Sequence, residues 1–277
     1  MTAKKLWSPS TTKNNLNLFL EYIGDKFNFK SYSDLHKWSI DNKEIFWDKF
    51  WSFTDIQGDK KDDIFTESTH FIETKFFNSS KLNYAENCLQ KDTDDDAIIF
   101  YNEQKHSKRI SWKQLRKNVF KISHYFKSKN INQNDRIAAV LPNLPETVEA
   151  FLACAQLGAI WSSCSSDFGA KAIIDRFKQI DPKILIITDY YFYNNKKIDT
   201  LKDIHTIIKE IPSIENIIII PYADDEILVE NFEYTNWNEI LNTTNKFEKF
   251  EKFNFNHPLY ILFSSGTTGA PKCIVHG

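Results

Sequence analysis

Glycine and proline are scarce in this sequence, which has 7 of the former and 8 of the latter among 277 residues. Extended disorder usually comes with more of both, so the composition argues against it. Hydrophobic residues make up 42% and charged residues 26%, which is typical of a globular protein with a sizeable core. The length allows one large domain or two ordinary ones.

Neither sign of charge dominates, because 35 basic residues stand against 37 acidic ones. A formal net charge of -2 argues against a protein whose main partner is nucleic acid. Aliphatic runs such as Ile217–Ile220 are far too short to span a membrane. The first residues also lack the apolar region of a secretory signal. We therefore predict a cytoplasmic protein without a membrane partner, whose oligomeric state the sequence leaves open.

The four cysteines, at positions 88, 154, 164 and 273, lack the CxxC spacing of metal and redox sites. Buried free thiols in a reducing compartment are the simpler interpretation. The acidic stretch Lys91–Asp96 lacks the spacing of a calcium loop and indicates a solvated turn. The sequence therefore predicts no metal site made of this chain's own side chains.

The first 80 residues are rich in aromatic and polar residues and are predicted to be mainly helical. Ser33 is the predicted cap of a helix over Asp34–Ile40. The aromatic residues of Lys43–Trp51 recur at helix-like spacing. They could stack on a nucleotide, but this spacing favours packing in a core.

From residue 97 onward the pattern changes to alternating strands and helices. Ser111 and Gln114 predict a capping box at one helix start. Pro145 and Gly158 suit the beginning and end of the next helix, whose predicted buried face includes Val148. The alternation predicts an α/β fold with helix-covered, mostly parallel sheets. The predicted strands are Ala97–Tyr101, Arg136–Leu141, Lys183–Thr188, Asn216–Ile220 and Leu259–Phe263.

The strongest signal is the string SSGTTGAPK, from Ser264 to Lys272, between two apolar strand-like runs. Glycines let backbone N–H groups approach a phosphate, hydroxyls add donors and a lysine adds positive charge. The string is not a Walker A motif, because Lys272 lies three residues after Gly269 and a strand follows it. A polar hairpin turn is the alternative, but the complete string favours a phosphate-binding loop.

SSGTTGAPK resembles the phosphate-loop signature of the adenylate-forming superfamily, which includes acyl-CoA synthetases, firefly luciferase and peptide-synthetase adenylation domains. The longer stretch Tyr260–Gly277, YILFSSGTTGAPKCIVHG, most resembles the acetoacetyl-CoA synthetases of that superfamily. The segments SYSDLHKWSIDNKEIFWDKFW, KLNYAENCL and GAIWSSCSSDFG are similar to acetyl- or acetoacetyl-CoA synthetases. The resemblance thus covers nearly the whole chain.

The resemblance implies ATP-dependent, AMP-forming ligation of acetoacetate to coenzyme A through an acyl-adenylate, with Mg²⁺ and no nucleic-acid partner. It also implies an N-terminal helical region over residues 1–90 and a truncated AMP-binding domain over residues 91–277. Lys272 would support the loop or contact the β- and γ-phosphates. The residues implied to line the triphosphate are Ser264, Ser265, Gly266, Thr267, Thr268 and Gly269. The family's catalytic lysine is expected beyond Gly277, so the isolated chain is expected to be inactive.

Several alternatives stay open at this point. Acetate or propionate could replace acetoacetate as the substrate, and a non-enzymatic nucleotide-binding module or a P-loop NTPase represents a different class. Phe192 takes the place of a family arginine near the coenzyme A phosphates. Lys196 and Lys197 either supply that charge or only solvate a loop. His276 either approaches the site or ends a strand.

Overall fold

The computed structural model describes residues 14–24, 27, 29, 31–105, 107–222, 227, 231–264 and 269–277. The chain forms two compact units that divide between Ser80 and Lys81. The domain boundary predicted between residues 90 and 91 stays a prediction.

The described part of the first unit consists of short helices followed by very short strands. Its elements are α1 (Asn15–Ile23), α2 (Tyr32–Asp41), α3 (Lys43–Phe53), β1 (Gly58–Asp59), β2 (Phe65–Thr66), a 3-10 turn (Phe71–Glu73) and β3 (Lys75–Phe76). The predicted cap of α2 is wrong by two residues. The Ser31 hydroxyl, not that of Ser33, accepts a hydrogen bond from the Asp34 amide at 3.2 Å, because Ser31 is the last extended residue before the helix.

Aromatic rings hold the three helices of this unit together. Phe19 of α1 is buried and lies 5.8 Å from the rings of both Phe46 and Phe50 on α3. The ring of Trp51 lies 4.8 Å from that of Phe77, with the planes tilted. The prediction that these aromatic residues pack in a core is therefore confirmed, and their edge-to-face contacts are those that ring quadrupoles favour.

The second unit alternates strands and helices. Its helices are α4 (Tyr84–Cys88), α5 (Trp112–Ser128), α6 (Pro145–Gln156), α7 (Ala170–Phe177), α8 (Ile204–Glu210) and α9 (Trp237–Asn242). Its strands are β4 (Lys81–Leu82), β5 (Asp96–Tyr101), β6 (Ser107–Ser111), β7 (Arg136–Val140), β8 (Ile160–Cys164), β9 (Ile184–Thr188), β10 (Tyr190–Tyr193), β11 (Lys196–Asp199), β12 (Asn216–Ile220), β13 (Thr235–Asn236), β14 (Phe253–Asn254), β15 (Tyr260–Ser264) and β16 (Lys272–His276).

The main sheet has the order β13-β12-β9-β7-β8-β15-β16 among the described residues. Its neighbours are parallel except β15 and β16, which form an antiparallel hairpin. Side chains alternate between two apolar layers. On β9, Ile184 and Ile186 face the layer of α5 and α6, whereas Leu185 and Ile187 face that of α7 and α8. The predicted α/β fold is confirmed, since burial on both faces is what a parallel sheet requires.

Helix α6 confirms two sequence predictions and corrects a third. Pro145 is at its first turn, and Gly158 follows it with a φ of 67°. A Cβ at Gly158 would lie 2.5 Å from the ring of Phe253, so both conformation and space demand glycine. The predicted buried face is wrong at Val148, which is exposed, whereas the adjacent Glu149 is fully buried. The helix is rotated because its contacts with α5 and α4, not periodicity alone, choose its inner face.

The start of α5 forms half of the predicted capping box. The Ser111 hydroxyl accepts from the Gln114 amide at 3.2 Å, as expected. The Gln114 side chain does not return this bond. It donates to Asn118 Oδ1 at 2.6 Å, and Asn118 in turn donates to Glu149 Oε1 at 2.7 Å. Gln114 therefore takes part in a hydrogen-bond chain that leads through Asn118 to the buried Glu149, and it does not complete the capping box.

Candidate phosphate-binding site

The predicted phosphate loop joins the two strands of the β15–β16 hairpin. Ser264 and Lys272, at the two ends of the loop, are register partners across the hairpin. This register keeps the Ser264 hydroxyl and the Lys272 side chain at one end of the hairpin, on facing strands. Gly269 also belongs to the described part of the loop. Four of the predicted site residues, Ser265, Gly266, Thr267 and Thr268, lie outside the described residues.

The described ends of the loop lie at the carboxyl edge of the parallel sheet. Tyr260 of β15 pairs with Trp161 of β8, so Ser264 reaches the level at which β8 ends at Cys164. Strand β7 ends beside it, because Val140 pairs with Cys164. Open α/β sheets bind ligands in the crevice outside the carboxyl ends of their strands. The position of the loop therefore suits a ligand site.

Side-chain hydrogen bonding reinforces the join between β15 and the rest of the sheet. The ladder between β8 and β15 is short, with the Trp161 amide donating to the Leu259 carbonyl at 3.1 Å. The fully buried Ser162 hydroxyl adds a bond to the Ile261 carbonyl at 2.9 Å. Sequence reasoning missed β8, because its serines read as a polar segment. A serine hydroxyl that bonds a neighbouring backbone explains how such a strand is buried.

Lys272 carries the only positive charge of the predicted loop and is exposed. Within the described ranges its side chain makes no hydrogen bond or ion pair. Two lysines in α7 and in the turn after that helix do form ion pairs. Lys171 pairs with Asp175 at 2.6 Å and Lys178 with Glu210 at 3.1 Å. No carboxylate among the described residues pairs with Lys272.

Gly269 has no structural reason to be glycine in the described conformation. A Cβ there would meet nothing within 4 Å, and its φ lies outside the left-handed range. Gly158, by contrast, cannot hold a side chain. A ligand that approached the backbone closely at this position would require glycine.

His276 lies at the far end of the hairpin from the loop. It is the register partner of Tyr260, and the two rings are 5.4 Å apart. It lies four positions along the strand from Lys272, which is about 13 Å. The structure therefore favours the strand-end role of His276 over contact with a ligand in the loop.

The resemblance places an arginine near coenzyme A in the β10–β11 hairpin. Lys197 of this hairpin contacts an aromatic ring, unlike Lys272. The Lys197 ammonium lies 3.7 Å from the centre of the Tyr190 ring. Asn194 and Asn195 form the turn, both with positive φ. Their amides donate to the two carboxylate oxygens of Glu103 at 3.0 and 2.9 Å. A carboxylate of the chain itself thus occupies the anion-binding amides of this turn.

All four cysteines are free, and two of them are buried. Burial raises the pKa of the Cys154 thiol and raises that of Cys164 to about 11, so both are protonated near neutral pH. Cys273 corrects the expectation of buried thiols, because it lies exposed on β16.

Two other kinds of feature are absent from the described residues. No helix among them is long and apolar enough to cross a membrane. No group of three or more His, Cys, Asp or Glu side chains within these ranges is placed to hold a metal ion.

Comparison with known proteins gives the family. The sequence model of the AMP-binding enzymes matches residues 85–277, and the chain belongs to that family. Acetoacetyl-coenzyme A synthetase of Rhizobium meliloti (strain 1021) is 38% identical over 99% of this chain and 43% of that protein. Acetoacetyl-CoA synthetase of Xenopus tropicalis is 35% identical over 100% of this chain and 43% of that protein.

A solved structure agrees with these sequence relatives. Acetoacetyl-CoA synthetase from Streptomyces lividans matches with a TM-score of 0.87 and 29% identity, over 95% of this chain and 41% of that one. The chain thus spans about 43% of the length of the curated relatives it matches. The resemblance to acetoacetyl-CoA synthetases found in the sequence is confirmed by these similarities.

Proposed function

We propose that the natural protein containing this chain is an ATP-dependent, AMP-forming ligase that joins acetoacetate to coenzyme A. The similarity to acetoacetyl-CoA synthetases along almost the whole chain supports this substrate pair. The observation that carries the proposal is the β15–β16 hairpin. It presents Ser264 and a lysine without a described partner at the carboxyl edge of a parallel sheet.

In this proposal the loop binds the triphosphate of ATP. The hydroxyls and backbone amides of Ser264, Ser265, Gly266, Thr267, Thr268 and Gly269 donate hydrogen bonds to phosphate oxygens. The Lys272 ammonium offsets charge on the β- and γ-phosphates, and charge-assisted bonds of this kind are the strong ones. When bound, Mg²⁺ supplies further charge neutralisation on the triphosphate. The described part of the loop fits this ligand because it contains donors and a cation but no carboxylate.

The proposed reaction has two displacements. An acetoacetate carboxylate oxygen bonds to the α-phosphorus of ATP, and pyrophosphate leaves. The coenzyme A sulfur then bonds to the acyl carbon, its proton goes to a base or solvent, and AMP leaves. This chain contributes the phosphate loop to these steps, and we assign no catalytic residue within it.

The test is the acid dependence of AMP formation by the natural protein with ATP, Mg²⁺ and coenzyme A. We expect AMP and acetoacetyl-CoA to form together, with kcat/KM for acetoacetate above that for acetate or propionate. A higher kcat/KM for acetate or propionate would contradict acetoacetate as the substrate but would still support the proposed ligation reaction. ATP hydrolysis without any acid would favour an NTPase, and ATP binding without turnover would favour a non-enzymatic module.

The proposal includes the organisation and location of the protein. We propose an N-terminal helical region over residues 1–90 followed by the AMP-binding domain from residue 91, which limited proteolysis of the natural protein would test. We also propose a cytoplasmic location, because free cysteines suit a reducing compartment. Recovery of the protein in a secreted or membrane fraction would contradict this location.

A further inference from the structure

One side chain outside the loop bonds to both sequence neighbours of Lys272, to the backbone of one and to the side chain of the other. Gln179 lies in the turn after α7, and its Nε2 donates to the Pro271 carbonyl at 2.9 Å. Its Oε1 accepts from the Cys273 thiol at 3.7 Å. Pro271 and Cys273 are the two neighbours of Lys272 in the sequence. The side-chain amide of Gln179 therefore bonds to the residues before and after Lys272, which carries the positive charge of the loop.

Gln179 is itself held on a fixed support. Its Nε2 also donates to the Asp175 carbonyl at 2.6 Å, and its backbone amide donates to Arg176 at 3.1 Å. The next residue, Ile180, is buried in the layer of α7 and α8. The Ile180 carbonyl accepts from Arg136 Nε at 2.5 Å. The Gln179 side chain is thus bonded to α7, and the backbone of the next residue is bonded to β7.

The β16 side of the loop has few other attachments in the described part of the chain. Strand β16 pairs with β15 alone, and its residues are all exposed. Pro271 has no N–H, so its carbonyl is the only backbone group it offers for a hydrogen bond. The bond from Gln179 uses that group and links the loop to α7, whereas the β15 pairing links it only to its own hairpin.

We propose that Gln179 is a positioning residue for the phosphate loop, which sets the backbone of Lys272 for the β- and γ-phosphates of ATP. This inference rests on the proposed function, because it gives the loop a triphosphate to bind. Gln179 does not touch the nucleotide. Its loss weakens the contribution of Lys272 and leaves the rest of the nucleotide site unchanged.

The experiment compares ATP with AMP, which lacks the β- and γ-phosphates. The Kd of each nucleotide is measured by calorimetry for the natural protein, Gln179→Met and Gln133→Met. Methionine keeps the length of glutamine but cannot donate a hydrogen bond. Gln133 is an exposed glutamine before β7, at the amino edge of the sheet, and serves as the matched control. Gln179→Glu, which removes the donor and adds negative charge, is the second variant.

For Gln179→Met we expect the Kd of ATP to rise roughly three- to tenfold, the usual range for one hydrogen bond, and that of AMP to stay constant. Gln179→Glu should weaken ATP at least as much, and Gln133→Met should change neither nucleotide. Equal loss of ATP and AMP affinity in Gln179→Met would show a general structural role and overturn the proposal. Unchanged ATP affinity would also overturn it. If the unmodified protein binds AMP and not ATP, the triphosphate role of the loop fails first, and this inference fails with it.

Discussion

The layer of α5 and α6 and the β15–β16 hairpin each contain a charged side chain that lacks a full set of partners. Glu149 of α6 is fully buried, and its Oε2 has no hydrogen-bond partner among the described residues. Lys272 is exposed and makes no described ion pair. The comparison shows that an unpartnered charge has opposite consequences in the two places.

Burial makes the carboxylate of Glu149 unfavourable and raises its pKa to about 7. Burial is the largest effect on this pKa. The hydrogen bond from Asn118 and the charge of Lys108 lower the pKa, and the charge of Glu146 raises it, each by less. Lys272, by contrast, is exposed to solvent. The missing partner of Lys272 therefore agrees with the proposed ligand site on the exposed hairpin, whereas in the helix layer burial raises the pKa of the unpartnered group instead.

The largest expected effect concerns Glu149. Because its folded-state pKa lies above the usual value of 4.5, the stability linked to its protonation is complete below pH 4.5 and is lost as pH rises through about 7. The loss by pH 8 is about 3 kcal/mol in the free energy of unfolding. Glu149→Gln cannot ionise, so urea unfolding between pH 4 and pH 9 should lack this component. Glu146→Gln on the same helix is the control, and parallel pH profiles for all three proteins would contradict the prediction.

Lys272→Met should have the next largest effect, on binding and not on folding. Loss of a charged hydrogen bond to phosphate raises the Kd of ATP roughly ten- to a hundredfold. The midpoint of thermal unfolding should stay constant, because no described residue depends on this lysine. Lys171→Met, which removes a lysine already paired with Asp175, is the matched control. An equal loss of ATP affinity in both variants would show a diffuse charge effect.

Gly269→Ala separates a structural glycine from a ligand-binding one. The added Cβ lies in open space, so the free energy of unfolding should change little. If ATP approaches this backbone closely, crowding costs about 1 kcal/mol, or roughly fivefold in Kd. Gly158→Ala provides the contrast, since it should destabilise the fold through contact with Phe253. Unchanged ATP affinity in Gly269→Ala would remove Gly269 from the site.

Lys197→Met should have the smallest effect. Its ammonium already lies over Tyr190, so its removal costs about 0.5–1 kcal/mol of unfolding free energy and leaves ATP affinity constant. The KM for coenzyme A should also stay constant, because Glu103 occupies the amides at the tip of this hairpin. A large rise in that KM would show that Lys197 binds coenzyme A instead. Exposed Lys196 is the matched position for comparison.

Sequence reasoning succeeded where the signal lies within one helix or strand. The caps at Ser111 and Gly158 were predicted correctly, and strand Asn216–Ile220 has the predicted bounds. It failed where a distant partner changes a local preference. Ser162 is buried because the Ile261 carbonyl accepts from it, and Gln114 turns to Asn118 because Glu149 lies behind it. The Ser33 error differs, since it came from choosing between two nearby serines with the same chemistry.

The sequence alone determined the alternation of strands and helices and the chemistry of the loop, because apolar periodicity and the string SSGTTGAPK are properties of adjacent residues. The tertiary structure alone decided which lysine side chain has a described partner. Lys197 meets an aromatic ring and Lys272 meets no described partner, although each follows a hairpin turn. Gln179 and Pro271, 92 positions apart, are likewise joined only by folding. Such contacts depend on how the sheet and its helices pack, which no local pattern records.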